Sequence, residues 1–118
     1  MNGKRETVQA LIIPVDDAQP IRLESLAPDA SVFQSAIGGG WLEGVTLREP
    51  RATLYCDEEG KLKGLAVNRI ATMLAWKHGH STGDELVGDC LIVGPPTSGG
   101  HDTDVPAAYV DALTGGQQ

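Results

Sequence analysis

Residues 55–69 read YCDEEGKLKGLAVNR, and this stretch decides the fold. It starts at the end of a strand-like run, passes through an acidic turn and two glycines, Gly60 and Gly64, and reaches Asn68. Asparagine is favoured at the N-cap of a helix because its side-chain oxygen accepts a hydrogen bond from a free backbone N–H. The stretch therefore predicts a strand, a turn and then a helix over 69–77. Four side chains of that helix are expected to share one face: Ile70, Met73, Leu74 and the stem of Lys77.

Two hairpins are predicted on the N-terminal side of this helix. Residues 7–13 alternate and then become apolar, as in a strand that is buried on both faces, and residues 21–23 form its partner strand. Residues 41–47 and 52–56 show the same strand chemistry on either side of a proline turn. We expect each pair to be antiparallel, since the connections are short.

A first helix is predicted between the hairpins, within residues 25–37, where Pro28 and Asp29 suit its start. The three glycines 38–40 then stop it, because glycine reaches the left-handed conformation of a helix end at little cost. A phosphate loop is not expected here, since its glycines follow a strand and precede a helix, which is the reverse order.

The C-terminal third predicts one more strand and a short helix. Residues 86–93 are nearly continuously apolar apart from Gly88 and Asp89, which is typical of a central strand. Asp104 is expected to cap the last helix, with Pro106 in its first turn. Its apolar stripe comprises Val105, Tyr109 and Leu113.

These elements predict an α+β fold with a mostly antiparallel sheet of about five strands, two main helices and a short C-terminal helix. A chain of 118 residues is the usual size of a single domain, so one domain over 1–118 is expected. Its ordered core should cover about 7–113, with 1–6 and 114–118 frayed.

Composition and charge exclude several classes of protein. Sixteen acidic against nine basic residues give a net charge of −7, which disfavours nucleic acid as a partner. Two cysteines are too few for a disulfide framework, and each lies in an apolar run that suggests a buried thiol. With no signal peptide and no run of about 20 apolar residues, we expect a cytoplasmic protein without a membrane partner.

No catalytic or metal-binding pattern rises above chance. His78 and His80 lie in a glycine-rich loop whose spacing is weak for zinc, and Cys56 and Cys90 have no near partner in the sequence. Carboxylates in the 57–64 turn neighbour lysines, where solvated charges are the ordinary explanation. The expectation is therefore no catalytic residue, no metal and no cofactor.

The strongest binding candidates are Asn68, Arg69 and Gly64. A helix N-terminus presents free backbone donors and partial positive charge, and an arginine beside it can bind a phosphate or carboxylate. The alternative is an N-cap followed by an arginine that bridges to a nearby acid: Asp57, Glu58 or Asp84. Three aromatic residues are candidates for an interface with a partner: Trp41, Trp76 and Tyr109.

Four segments resemble a known family: LIIP at 11–14, IGGGWLE at 37–43, CDEEGKLKGLAVNR at 56–69 and GDELVGD at 83–89. They are similar to the domain-of-unknown-function family 3846, over nearly the whole chain from about residue 8 to Tyr109. The family is common in actinobacterial phages, prophages and mobile elements. The resemblance implies a phage or mobile-element accessory protein, and it implies no catalytic residue.

The expected function is therefore that of a non-enzymatic accessory protein that binds a host protein or a small anionic ligand, for example in counter-defence. A small hydrolase or metal-dependent enzyme is one alternative, and a DNA-contacting regulator is a disfavoured second. A homodimer is also expected, because a short, strand-rich chain often leaves a sheet edge or apolar face to cover.

Overall fold

The computed structural model describes residues 6–79 and 83–115. It contains one five-stranded antiparallel sheet in the order β2-β1-β5-β4-β3, together with three helices. The elements along the chain are β1 Val8–Ile13, β2 Arg22–Leu26, α1 Ala30–Ala36, β3 Leu42–Leu47, β4 Ala52–Asp57, α2 Arg69–Lys77, β5 Cys90–Val93 and α3 Ala107–Thr114. The predicted α+β class and both hairpins are confirmed. His80 lies outside the described residues, as do residues 1–5 and 116–118 of the ends 1–6 and 114–118 that were predicted to fray.

The central strand β5 and its neighbour β1 are buried on both faces of the sheet. On one face the strands pack against α1 through Phe33 and Ile37. On the other face they pack against α2 and α3. This three-layer arrangement explains why β1 and β5 read as nearly continuous apolar sequence, because a strand covered on both faces needs apolar residues at every position. None of the helices described has the length and apolar character needed to cross a membrane.

Helix α1 starts and ends where the sequence predicts. The Asp29 side chain accepts a hydrogen bond from the Ser31 N–H at the N-cap. Gly38 and Gly39 both have φ of 98°, a left-handed conformation that glycine adopts without strain. The prediction that this glycine run ends the helix is confirmed.

The predicted strand 86–93 is too long, because β5 begins only at Cys90. The residues before it run alongside α2 instead of joining the sheet. The Thr72 hydroxyl accepts a hydrogen bond from the Leu86 N–H and donates to the Leu86 carbonyl. The Gly88 N–H donates to the Ala66 carbonyl, with Gly88 at φ 76°. Contacts with α2 and its lead-in segment therefore replace the first part of the predicted strand.

Asp104 does not cap the last helix, contrary to the prediction. Its carboxylate accepts a hydrogen bond from the backbone N–H of Gln9, at 2.8 Å, and so ties the C-terminal segment to β1. The N-cap is Pro106, which makes no side-chain capping bond. The predicted stripe does pack on the sheet: Val105 and Tyr109 are buried, and Leu113 is partly buried against the same core.

Helix α2 has the predicted bounds, but its faces differ from the prediction. Of the four side chains expected to share one face, only Leu74 is buried, whereas Ile70, Met73 and Lys77 are exposed. The buried face is formed by Ala71, Thr72, Leu74 and Ala75. The small side chains of Ala71 and Ala75 let the helix approach the sheet closely, and Ile70 and Met73 remain at the surface.

Candidate functional site

The start of α2 is fixed to the sheet by the side chain of Asn68. Its oxygen accepts a hydrogen bond from the Ala71 N–H at 3.0 Å, which is the predicted N-cap bond. Its amide nitrogen donates to the carbonyls of Ile13 and Gly88, each at 2.9 Å. The residue is only 2% exposed. Every polar group of this side chain is thus engaged inside the protein.

The three predicted ligand-binding residues do not converge on one pocket. Asn68 points inward, whereas the neighbouring Arg69 is exposed. Gly64 is exposed in the preceding turn with φ of 73°. Among the described residues no carboxylate forms an ion pair with Arg69: the Asp57 carboxylate pairs with Lys63, and that of Asp84 pairs with Lys61. Arg69 is therefore a cation at the protein surface, without the bridge that the alternative interpretation proposed.

The three aromatic candidates lie in different environments. Trp41 is 67% exposed, and its carbonyl accepts a hydrogen bond from Glu58 at the start of the 58–64 turn. Trp76 is half-buried, and its indole N–H donates to the Asp84 carbonyl. Tyr109 is only 1% exposed, and its hydroxyl donates to the Pro50 carbonyl at 2.5 Å. Tyr109 therefore serves the core of this chain and offers no surface to a partner.

Large apolar side chains lie exposed along residues 62–73: Leu62, Leu65, Val67, Ile70 and Met73. Leu62 is 87% exposed and Met73 is 67% exposed, so neither contributes much to the core. Exposed apolar groups that lie together are typical of surfaces that bind other molecules, and Ile70 and Met73, three residues apart in α2, lie on one side of that helix. Sequence reasoning missed this surface, because the helical periodicity alone did not show which side of α2 faces the sheet.

The exposed side of α2 combines these apolar groups with positive charge. We call it the α2 face and define it as Arg69, Ile70, Met73 and Lys77. Arg69, Met73 and Lys77 are spaced four residues apart, so they form a line about 12 Å long on one side of the helix. Helix α2 contains no acidic residue, although the whole chain carries a net charge of −7.

A cavity of about 230 Å³ lies between β3, the end of β4 with the turn that follows it, and the 84–87 segment. Its walls include one thiol, one lysine and five carboxylates: Cys56, Lys61, Glu43, Asp57, Glu58, Asp84 and Glu85. Burial, followed by the nearby carboxylates Glu43 and Asp57, raises the pKa of the Cys56 thiol to about 12. The cavity therefore disfavours anions and keeps this thiol protonated at neutral pH.

One cavity wall depends on an ion pair. The buried Asp57 carboxylate accepts a hydrogen bond from the Lys63 ammonium at 2.6 Å and another from the Glu59 N–H at 2.9 Å. The bond from Lys63 and then that from the Glu59 N–H lower the pKa of Asp57 below its ordinary value of 3.8, although burial opposes this. A depressed folded-state pKa adds stability above the unfolded-state value, and this stability is lost as the pH falls through the folded-state pKa.

Replacing Lys63 with methionine should therefore cost about 1 to 2 kcal/mol at pH 7, because a buried carboxylate loses its charged partner. The difference from wild type should shrink below pH 4 as Asp57 becomes protonated in both proteins. Urea unfolding at pH 7 and pH 3 measures it. Lys61→Met is the matched control with no measurable change, since the Lys61–Asp84 pair is exposed to solvent. An equal loss at both pH values would contradict the assignment.

The histidine and carboxylate groups do not assemble into a metal site within residues 6–79 and 83–115. There, no group of three or more His, Cys, Asp or Glu side chains is placed to hold a metal ion. Nδ1 of His78 lies 2.9 Å from the Arg48 carbonyl, and the His78 ring packs edge-on against Tyr109. His78 thus joins the end of α2 to the end of β3.

Comparison with known proteins identifies a family without a known activity. A search of curated proteins and a search of solved structures both found no match. One family model covers residues 8–115, which is nearly the whole chain. The chain therefore belongs to the family described as Domain of unknown function (DUF3846).

Proposed function

We propose that this protein acts by binding a partner protein through the α2 face. The observation that carries the proposal is the 67% exposure of Met73, at the centre of a helix face with a cation at each end. Exposed methionine adapts its shape to different partners, and the flanking charges set the orientation of what binds.

The charges of the α2 face are available for a partner. Neither Arg69 nor Lys77 forms an ion pair with any residue in the described part of the chain. Arg48 lies next to the C-terminal end of the face, because its N–H donates to the His78 carbonyl. Helix dipoles explain a cation at the C-terminal end but not one at the N-terminal end, where Arg69 stands. The position of Arg69 is therefore better explained by recognition of a partner than by stabilisation of the helix.

Charge complementarity specifies the chemistry of the partner. A segment that fits the α2 face presents apolar side chains to Ile70 and Met73, with carboxylates about 12 Å apart that reach Arg69 and Lys77. An acidic amphipathic helix meets both requirements. A second copy docked through the same face would oppose cations to cations, so a homodimer through α2 is disfavoured.

A protein partner is favoured over a small anionic ligand. At the helix start, the Ala71 N–H already donates to the Asn68 side chain, and the Asn68 amide donates to the Ile13 and Gly88 carbonyls, so fewer donors remain for an anion. The neighbouring cavity is lined mainly by carboxylates and repels anions. The high pKa of the Cys56 thiol likewise favours binding over nucleophilic catalysis as the role of this region.

The family resemblance suggests the biological setting. In a phage or mobile element, an accessory protein of this kind would bind a host protein in the host cytoplasm, for example a component of a defence system.

Met73→Glu should weaken the complex with that partner about thirtyfold, because it places a negative charge opposite apolar and acidic groups. Ser35→Glu is the matched control, since it introduces the same charge on exposed α1, across the sheet, and should not alter affinity. The partner is first identified by capture from host lysate, and both purified proteins are then compared by isothermal titration calorimetry. Raising the salt concentration should weaken wild-type binding.

Three results would overturn the proposal. One is a partner whose affinity is unchanged by Met73→Glu. Another is a bound segment that is basic, as shown by hydrogen-exchange mapping of the complex. The third is a dimer of this chain, found by light scattering, that buries α2.

A further inference from the structure

The only two cysteines of the chain, Cys56 and Cys90, lie on neighbouring strands of the sheet. Both are buried in the core cluster between the sheet and the α2 side. They therefore point to the same face of the sheet, although 33 residues separate them in the sequence.

The strand register places the two cysteines opposite each other. Strands β4 and β5 pair Thr53 with Val93, Leu54 with Ile92 and Tyr55 with Leu91. Continuing this antiparallel register by one residue sets Cys56 against Cys90. Burial, followed by the nearby Cys56 thiol, raises the pKa of the Cys90 thiol, which agrees with the two sulfurs lying close together.

The hydrogen-bond pattern determines what kind of pair this is. The Glu58 N–H donates to the Trp41 carbonyl, so even-numbered residues of β4 direct their backbone bonds toward β3. Odd-numbered residues of β4 direct theirs toward β5. Cys56 and Cys90 are consequently a non-hydrogen-bonded pair, for which Cα atoms are about 4.5 Å apart. Disulfides span Cα distances of about 4.4 to 6.8 Å.

The thiols are reduced in the structure and face different acceptors. Sγ of Cys56 lies 3.9 Å from the Glu43 carbonyl, and Sγ of Cys90 lies 3.6 Å from the Gly88 carbonyl. Rotation about the Cα–Cβ bonds is needed to bring the sulfurs together. Only Cys56 also lines the acidic cavity, so it is the sulfur that a reagent reaches first.

We propose that Cys56 and Cys90 form a cross-strand disulfide when a small cationic disulfide enters the acidic cavity. Because the pKa of the Cys56 thiol is raised to about 12, only a small fraction is thiolate at pH 8, and the exchange is slow. This thiolate attacks one sulfur of the reagent, which releases one thiol and leaves a mixed disulfide. The Cys90 thiolate then attacks the Cys56 sulfur and releases the second thiol. Two protein thiols are oxidised, one reagent disulfide is reduced, and two protons pass to the two released thiolates.

The bond would close residues 57–89 into a loop that contains the whole α2 face. Oxidation would thus stabilise the folded form of this segment, because the cross-link lowers the conformational entropy of the segment in the unfolded state. This inference is independent of the identity of any partner.

The test is equilibration of the full chain with cystamine and cysteamine at pH 8, which also avoids the methionine oxidation that peroxide would cause. Intact mass spectrometry should show the loss of two hydrogen atoms with no retained cysteamine. Trypsin should then release residues 52–61 joined to residues 78–118. The effective concentration of the two thiols should be about a hundredfold higher in the native protein than in urea.

Controls separate this site from ordinary thiol oxidation. Cys56→Ser and Cys90→Ser should each show no loss of two hydrogen atoms, with circular dichroism confirming that they fold. Glutathione disulfide, which is anionic, should react more slowly than cystamine at low salt, and the difference should shrink at high salt. A stable cysteamine adduct on Cys56 with Cys90 still free, a disulfide-linked dimer, unreacted thiols, or an effective concentration no higher than in urea would each overturn the proposal.

Discussion

Replacing Asn68 with alanine is expected to destabilise the protein by about 3 to 4 kcal/mol. The change removes the N-cap bond to Ala71, which is worth about 1 kcal/mol. It also removes the two donors to the buried carbonyls of Ile13 and Gly88, and it leaves a cavity at a fully enclosed position. Urea unfolding at pH 7 measures the loss.

Asn68→Asp separates the capping bond from the two donors. The carboxylate keeps the capping acceptor but faces the Ile13 and Gly88 carbonyls, which repel it. This variant should therefore be at least as unstable as Asn68→Ala at pH 7. Repulsion and burial raise its folded-state pKa, so stability should recover as the pH falls and protonation restores one donor.

Arg69→Ala is the control for this pair of variants, because Arg69 is adjacent but exposed. Its effect on stability should stay within about 0.5 kcal/mol. If Asn68→Ala proved as mild as Arg69→Ala, the anchoring of α2 to β1 and β5 through Asn68 would be wrong. The two adjacent residues are thus expected to divide the roles that the sequence suggested for both, with Asn68 acting in folding and Arg69 in binding.

Local signals in the sequence predicted the elements well. Asn68 and the residues after it predicted α2 with its observed bounds, and Asp29 and the glycines after Ile37 predicted both ends of α1. Each of these signals acts between residues only a few positions apart, as capping and glycine turns do. The same holds for the two hairpins, whose strands follow each other closely in the chain.

Features that depend on distant residues could not be predicted in the same way. The amide of Asn68 reaches carbonyls 55 and 20 residues away, and the Asp104 carboxylate reaches a backbone N–H 95 residues away. Cys56 and Cys90 lie opposite each other only because β4 and β5 are neighbours in the strand order β2-β1-β5-β4-β3, and no local sequence pattern encodes this order. Such contacts arise only when the layers assemble.

The candidate site was predicted least well, for a related physical reason. The sequence grouped Ile70, Met73 and Leu74 on one helical face, yet the packing buries Leu74 and leaves the other two exposed. Periodicity locates a stripe but does not say which of two adjacent stripes meets the sheet. The small residues Ala71 and Ala75 determined the outcome, because they permit the closest approach.

Gly40→Ala is expected to destabilise the protein by about 3 kcal/mol. Unlike Gly38 and Gly39, Gly40 is buried, and it does not have a left-handed conformation. A Cβ atom added there would overlap the carboxyl group of Asp57. Asp57 cannot move away freely, because Lys63 and the Glu59 N–H hold its oxygens. Overpacking and loss of this ion pair therefore act together.

The cause is tested by a double-mutant cycle with Asp57→Ser, which shortens the obstructing side chain. If the overlap is responsible, adding Gly40→Ala to Asp57→Ser should cost less than about 1 kcal/mol in urea unfolding. Gly44→Ala is the control, since its Cβ would make only an ordinary contact, 3.4 Å from the Tyr55 ring, and should change stability little. An equal cost of Gly40→Ala in both backgrounds would show that backbone conformation, and not the Asp57 carboxylate, requires glycine at this position. Gly40 would then be needed for its backbone conformation, as Gly38 and Gly39 are, and not because it leaves room for the Asp57 carboxylate.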